Sequence, residues 1–402
     1  MSSTANNNNV HGIVAPAWEN VRAIFEQNII DGLDLGASLC VYHQGQCVVD
    51  LSGGWKDVEK TKSYTPETLQ IVYSTSKGVI AAAVALCVDK GWLDYDAPVA
   101  KYWPEFAAEG KENITVGEVL SHRAGLPYVD QQLTADDVYN SSYITALLAA
   151  EKPHWIPGSA HGYHAHTLGF LAGELVHRVD PKKRSYGQFV RDELEDGFYV
   201  GVSDDKIEAR VAPLIRKQVN ANTAATPPMP LEAEKALTFS GAFPLNQPDG
   251  KILFNSPRLH RAEMPATNGI TNARSLARIY ALLIGDIDEN GSKKKRLVHE
   301  ETLARAAINM TPVDEPDQNS YGLKTTFAKG GFQIYGKYFN ALGEGIFGHT
   351  GRGGSCVFAY PPYELAYAHV CNQLDTTAFA IDRRTLRLLE AIKDVIIHLN
   401  AS

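Results

Sequence analysis

Between Ala17 and Ile30 the apolar residues Val21, Ile24, Phe25, Ile29 and Ile30 recur at three- and four-residue intervals, which gathers them on one face of a helix. Two short runs rich in Val, Leu and Cys follow, Gly36 to Tyr42 and Gln46 to Leu51. The His43-Gln44-Gly45 between them predicts a β-hairpin. Ile71-Val72-Tyr73 is a short β-like run. Ser74 to Lys90, dominated by Ala, Val, Ile and Leu, predicts a long helix buried on most faces and stopped by Gly91. Thr115-Val116-Gly117-Glu118 has capping-box spacing ahead of Val119-Leu120, and Gly125 with Pro127 closes that helix. Ala221 to Pro230 and Asn246 to Pro257 have the Pro, Asn and Asp content of extended loops. Ala273 to Ile284 returns to helical spacing. Ser355 to Tyr360 and Leu365 to Cys371 then flank the turn Pro361-Pro362-Tyr363-Glu364 as a second hairpin, and a last helix is expected over Thr376 to His398.

Strands near both ends of the chain with helices between them predict an α/β sheet part assembled from two segments, 13–75 and 265–402. A mainly helical insertion is expected over 76–264, with the active site at the junction, and residues 1–12 as a disordered polar tail. No repeat of 20 to 50 residues is present, which sets solenoids and propellers aside.

Composition narrows the classes further. The 402 residues, 44% hydrophobic and 21% charged, are those of a folded globular chain large enough for about two domains. With 38 Lys and Arg against 46 Asp and Glu, the net charge of -8 leaves no global positive field for a polyanion. Nucleic acid is therefore not expected as a partner, and Lys293-Lys294-Lys295-Arg296 reads as a solvated loop. Five cysteines, an odd number without a C-x-x-C pair, fit a reducing compartment. The first twelve residues lack a basic and apolar leader, and the longest apolar stretch, Val79 to Val88, is too short to span a bilayer. A cytoplasmic protein without a membrane partner is expected.

The sharpest chemical signal is Ser74-Thr75-Ser76-Lys77, where a predicted strand meets a helix. Residues three apart share a helix face, so the Lys77 amine can approach the Ser74 hydroxyl. Unpaired backbone N–H groups at the helix start can stabilise a developing oxyanion.

This segment and those after it resemble the serine β-lactamase and penicillin-binding-protein superfamily. The resemblance rests on Ser74 to Gly78, Cys87 to Val99 and Tyr102 to Phe106. It continues through Ile114 to Leu126, Trp155-Ile156-Pro157-Gly158 with Tyr163, Asn268 to Ala277 and Gly348-His349-Thr350-Gly351, all in the superfamily's order. It covers about residues 17 to 395 and is nearest to class C β-lactamases and family VIII carboxylesterases. The resemblance implies an antiparallel sheet flanked by helices and a nucleophilic Ser74 with Lys77. Tyr163 would share their proton traffic, although its Tyr163-His164-Ala165 lacks the asparagine of the family's Tyr-x-Asn. His349-Thr350-Gly351 stands where the family has Lys-Thr-Gly, so His349, Thr350, Gly351 and Arg352 are the expected substrate and oxyanion contacts, with the N–H groups of Ser74 and Arg352 as donors. Replacing a fixed cation by histidine and an asparagine by Ala165 favours neutral esters over β-lactams. The Arg352 side chain that follows is the cation that could substitute there.

The expected activity is thus hydrolysis of small or medium carboxylic esters without a metal or other cofactor. β-Lactam or D-amino acid peptide cleavage, acyl transfer, and a non-catalytic scaffold are the alternatives. His161, His164 and His166 crowd together, but the sequence continues into no recognisable metal-binding pattern. Gly343-Glu344-Gly345-Ile346-Phe347-Gly348 matches G-x-G-x-x-G, yet no helix-forming run follows it. No serine lies in a G-x-S-x-G elbow.

Overall fold

The apolar run Gly36–His43 is a strand buried along its whole length, which requires cover on both faces of its sheet. The computed structural model describes residues 9–217, 229–245, 250–319, 325–335, 342–375 and 382–401. Its main sheet has nine strands. They are β1 (His11–Val14), β2 (Gly36–His43), β3 (Gln46–Gly54), β4 (Ile287–Glu289), β5 (Ser292–Lys294), β6 (Gln333–Ile334), β7 (Phe347–Thr350), β8 (Cys356–Tyr360) and β9 (Leu365–Cys371). Their order across the sheet is β5-β4-β3-β2-β9-β8-β7-β6, with β1 added alongside β3. Only β3 and β4 run parallel among these pairs. Both hairpins read from the sequence are present, β2 with β3 and β8 with β9.

Six helices support the sheet and the site: α1 (Glu19–Ile30), α2 (Ser76–Asp89), α3 (Val116–Leu120), α4 (Thr167–Val179), α5 (Ala273–Ile284) and α6 (Arg383–Ala401). Successive strand residues point to opposite faces. Leu39 and Val41 of β2 therefore pack into one core with Val21 and Phe25 of α1 and Leu388, Leu389 and Ile392 of α6. Cys40 and Tyr42 turn the other way, into a larger core with α2 and α5. β2 pairs with β9, so strands from the two ends of the chain lie side by side, from Leu365 opposite His43 to Cys371 opposite Ala37.

Helix α2 is buried at every residue from Ser76 to Val88. It stops where the sequence predicts, because Gly91 takes φ +70°. There the Trp92 N–H reaches Cys87 O at 2.9 Å and the Gly91 N–H reaches Val88 O at 2.9 Å, the paired bonds of a Schellman ending. The capping box is also present: Thr115 Oγ1 accepts the Glu118 N–H at 3.1 Å, and Glu118 Oε2 accepts the Thr115 N–H at 2.8 Å.

Three expectations are corrected. The polar tail over 1–12 is too long, since His11 and Gly12 already lie in β1 opposite Ser52 and Leu51; residues 1–8 lie outside the described residues. Ser74 does not begin the long helix. It sits in a single 3-10 turn, Tyr73–Thr75, that leads into α2 at Ser76. The loop expected over Asn246 to Pro257 contains a 3-10 turn at Leu253–Asn255 and ends on a helix that starts at Pro257, a residue suited to a first helical position. Part of that loop, most of Ala221 to Pro230, and the first residues of the expected last helix lie outside the described residues. No helix among the described residues is long and apolar enough to cross a membrane.

Candidate active site

Ser74 is held by a turn pinned on three sides. Gln70–Ile71 pairs antiparallel with Ile270–Thr271, and the Val72 N–H bonds Gly269 O at 2.9 Å. Tyr73, beside the serine, takes φ +48°, a left-handed conformation that is costly for a bulky residue and persists only when its surroundings enforce it. Thr75 Oγ1 donates to Ser355 O at 2.9 Å, tying the turn to the loop after β7. The end of β7 closes over the turn so tightly that a Cβ on Gly351 would lie 2.2 Å from Val72 O. This is the close approach that a glycine at this position permits.

Lys77, one helical turn on, has its Nζ 3.2 Å from Ser74 Oγ, 2.7 Å from Ala165 O and 3.1 Å from Ala266 O. It is fully buried and no carboxylate among the described residues bonds it, so burial pushes its pKa well below the ordinary lysine range. When the amine is deprotonated it has two N–H donors and one lone pair; with the two carbonyls taking both donors, the lone pair is what would face the Ser74 hydroxyl. Ala165, the position matched to the family's asparagine, thus contacts Lys77 through its backbone. Ala266 O is held in a tight turn in which the Thr267 and Asn268 N–H groups bond Met264 O at 3.0 and 3.2 Å. The Asn268 side chain braces that turn on Met264 N, Leu259 O and Ala262 O.

Tyr163 lies in the loop before α4 with its ring centroid 4.7 Å from Lys77 Nζ. Its N–H bonds the buried Asp317 at 3.0 Å. Burial raises the pKa of its hydroxyl, and a hydrogen bond with Ser74 works against that rise. The ring stacks on Phe327 at 6.0 Å and stands 5.0 Å from His122 and 6.2 Å from His349. The Tyr163 phenol and the Lys77 amine therefore converge on Ser74 with opposite tendencies, one to keep a proton and one to accept it.

His349 is buried on β7, its Nδ1 2.8 Å from Thr350 O. Burial holds its pKa down to about 3, so no cation stands there at neutral pH. Thr350 Oγ1 lies 3.4 Å from Gln333 Oε1 of β6. The Arg352 side chain is exposed, and its charge is felt by Tyr73 and His166. Neither the Ser74 N–H nor the Arg352 N–H bonds another carbonyl among the described residues. All seven sequence-predicted site residues thus lie on two adjoining pieces of structure, the turn with the start of α2 and the end of β7, together with the Tyr163 loop beside them.

The three clustered histidines face three different ways. His161 Nδ1 meets Glu315 at 2.6 Å, His164 lies between the Leu126 N–H and Gly162 O, and His166 Nε2 donates to Leu237 O at 3.1 Å. A grouping of ligand-type atoms does occur at Asp130, Glu151 and His154, within 4.8 Å of one another, but Glu151 there already accepts the Asp130 N–H. The G-x-G-x-x-G match runs into strand β7 rather than a helix. Residues that sequence reasoning missed are His122, Phe327, Asp317 and the two carbonyls on Lys77. His122 lies within the Ile114 to Leu126 run, and its φ of +63° marks a strained position; the carbonyls leave no trace in a sequence.

A family model described as beta-lactamase matches residues 25–392. The chain is 34% identical over 349 residues to Esterase/beta-lactamase LipL of Mycobacterium tuberculosis, a match that covers 84% of this chain and 77% of that protein. Among solved structures it resembles a family VIII carboxylesterase, with a TM-score of 0.84, 32% identity and coverage of 96% of this chain and 99% of the other. It also resembles a penicillin-binding protein homolog from Caulobacter crescentus, with a TM-score of 0.81, 31% identity and the same coverages.

Proposed function

The chain belongs to the β-lactamase family, as a serine hydrolase with the fold of its ester-cleaving members, and from that premise we propose that it hydrolyses uncharged carboxylic esters through an acyl-enzyme on Ser74. The observation that carries this reading is the buried Lys77 amine, 3.2 Å from Ser74 Oγ, with its other two contacts made to the Ala165 and Ala266 carbonyls. Ser74 Oγ attacks the ester carbon while its proton passes to Lys77. The Ser74 and Arg352 N–H groups receive the negative charge that forms on the carbonyl oxygen. As the C–O bond breaks, the Tyr163 phenol gives its proton to the departing alcohol and regains one from the Lys77 ammonium. Water then attacks the acyl-enzyme with the same groups in the same roles and releases the acid. An alcohol in place of that water would give acyl transfer. This reading treats residues 76–264 as an insertion between the two sheet-forming segments, with the site at their junction.

Two contrasts with β-lactam cleavage support an ester. His349 is neutral where a carboxylate would need a cation, and Ala165 has no side-chain amide. Each lost contact is worth about 1 to 3 kcal/mol, so together they discriminate by tens- to tens-of-thousands-fold. One observation favours a second reading, in which β-lactams are also cleaved: Arg352, a permanent cation, is exposed at the end of the same strand. The test is a panel of short-chain p-nitrophenyl esters beside a chromogenic cephalosporin. The esters are expected to turn over well and the cephalosporin slowly. A kcat/KM for the cephalosporin comparable with that for p-nitrophenyl butyrate would overturn the ester assignment, and its selective loss in Arg352→Ala would identify the cation responsible.

Tyr163→Phe removes the phenolic proton and leaves the ring packed on Phe327. It is expected to lower kcat by about a hundredfold, the scale for a positioned acid or base, with the thermal midpoint little changed. Steady-state kinetics at saturating ester beside a melting curve check this; near-normal kcat would mean that Lys77 alone handles the protons.

A further inference from the structure

Two buried ring nitrogens beside Tyr163 have no hydrogen-bond partner among the described residues, Nε2 of His122 and Nε2 of His349. They are chemically opposite. His122 Nδ1 accepts the His164 N–H at 2.9 Å, so the neutral ring carries its proton on Nε2, which is a donor. His349 Nδ1 must donate to Thr350 O at 2.8 Å, so its Nε2 offers a bare lone pair. Backbone groups impose both tautomers. The two rings share their neighbours: His122 lies 4.2 Å from Phe327 and 5.0 Å from Tyr163, and His349 lies 6.4 and 6.2 Å from the same two rings. His122 and His349 are 0% and 2% exposed, and a buried donor and a buried acceptor left open both cost stability. Keeping both open beside Tyr163, one on a strained backbone, has a function if a bound group closes them together.

We propose that His122 and His349 form the recognition element for the alcohol half of the substrate, taking one hydroxyl that donates to His349 Nε2 and accepts from His122 Nε2–H. The preferred substrates are then monoesters of small diols and polyols. The proposal rests on the reading of Tyr163 as proton donor to the departing alcohol, because packing against Tyr163 is what puts the pair on that side of the scissile bond. A methyl group in the hydroxyl's place satisfies neither nitrogen. A carboxylate satisfies His122 but sets its oxygens against the lone pair of His349.

The test compares wild-type kcat/KM, by pH-stat, for 2-hydroxyethyl butyrate, its near-isostere n-propyl butyrate, and carboxymethyl butyrate, with p-nitrophenyl butyrate as reference. The hydroxyethyl ester is expected to exceed the propyl ester at least tenfold, with the carboxymethyl ester lowest. His349→Lys replaces the acceptor by a donor and is expected to reverse the order of the hydroxyethyl and carboxymethyl esters; if that variant fails to fold, the wild-type ratio still decides. Equal rates for hydroxyethyl and propyl esters in an enzyme active on p-nitrophenyl butyrate would overturn the proposal and leave ester hydrolysis standing. Absence of turnover on all four would instead overturn the hydrolase mechanism beneath it.

Discussion

Ser74→Ala is expected to lower ester kcat by about 10⁴-fold or more, the scale of loss when the nucleophile of an interdependent catalytic group is removed. The reasoning is geometric. Among the described residues nothing else hydroxyl-bearing is bonded to Lys77, whose other two contacts are the Ala165 and Ala266 carbonyls, so the amine has no substitute to activate. The N–H groups at the turn survive the substitution and can still polarise a carbonyl, which leaves a small residual rate. A fluorophosphonate probe should add one phosphonyl group to Ser74 in the wild-type protein, located by peptide mass mapping, and none to the variant. Labelling at another serine, or a variant within tenfold of wild type, would end the Ser74 mechanism. Stability is expected to hold, because the turn is fastened through Val72, Thr75 and Gly351 rather than through the Ser74 side chain.

The second large effect is on stability in acid. Burial holds His164, His166 and His349 near a pKa of about 3, and His122 well below the ordinary histidine value. In the unfolded chain these rings take up protons near pH 6.5. Folded values lie below unfolded ones, so the unfolded state binds more protons as pH falls. The stability contributed by these rings is complete above about pH 6.5 and is lost on acidification toward pH 3. Each of the three rings held near 3 forfeits about 1.4 kcal/mol by pH 5.5, roughly 4 kcal/mol together, a large share of the whole stability of many domains, and His122 acts in the same direction. Urea midpoints measured at pH 7.5, 6.5 and 5.5 should fall by the equivalent of about 1 kcal/mol over the first step and about three times as much over the second. A flat series would mean that the rings are protonated, or reached by water, in the native protein.

Much of the scaffold was legible because its segments have clean periods. Helix α5 spans the residues its apolar spacing marks, Ala273–Ile284, and both hairpins fall between the expected runs. The Ser74 and Lys77 pairing was legible for the same reason, three residues being nearly one helical turn. What escaped is what backbone does in three dimensions. The carbonyls on Lys77 come from positions 88 and 189 residues away, and an alanine's carbonyl has no sequence signature. Phe327 and His122 meet at Tyr163 from separate loops, which no local pattern announces. Even the 3-10 turn at Ser74 depends on a φ of +48° at Tyr73, enforced by the strand that packs on it and not encoded by any turn residue.

The pairing of β2 with β9 also bears on biosynthesis. The Gly36 N–H is bonded to the side chain of Asn372, 336 residues further along, and the strand that closes over the Ser74 turn lies only a little earlier than that partner. A ribosome must make more than 300 residues beyond β2 before the central sheet can close. Until then β2, apolar on both faces, is without its neighbour, and so much non-local pairing makes for slow folding. Premature termination anywhere before β9 would therefore yield a product with Ser74 and Lys77 present and no sheet to assemble them, a chain that chaperones must hold or proteases remove.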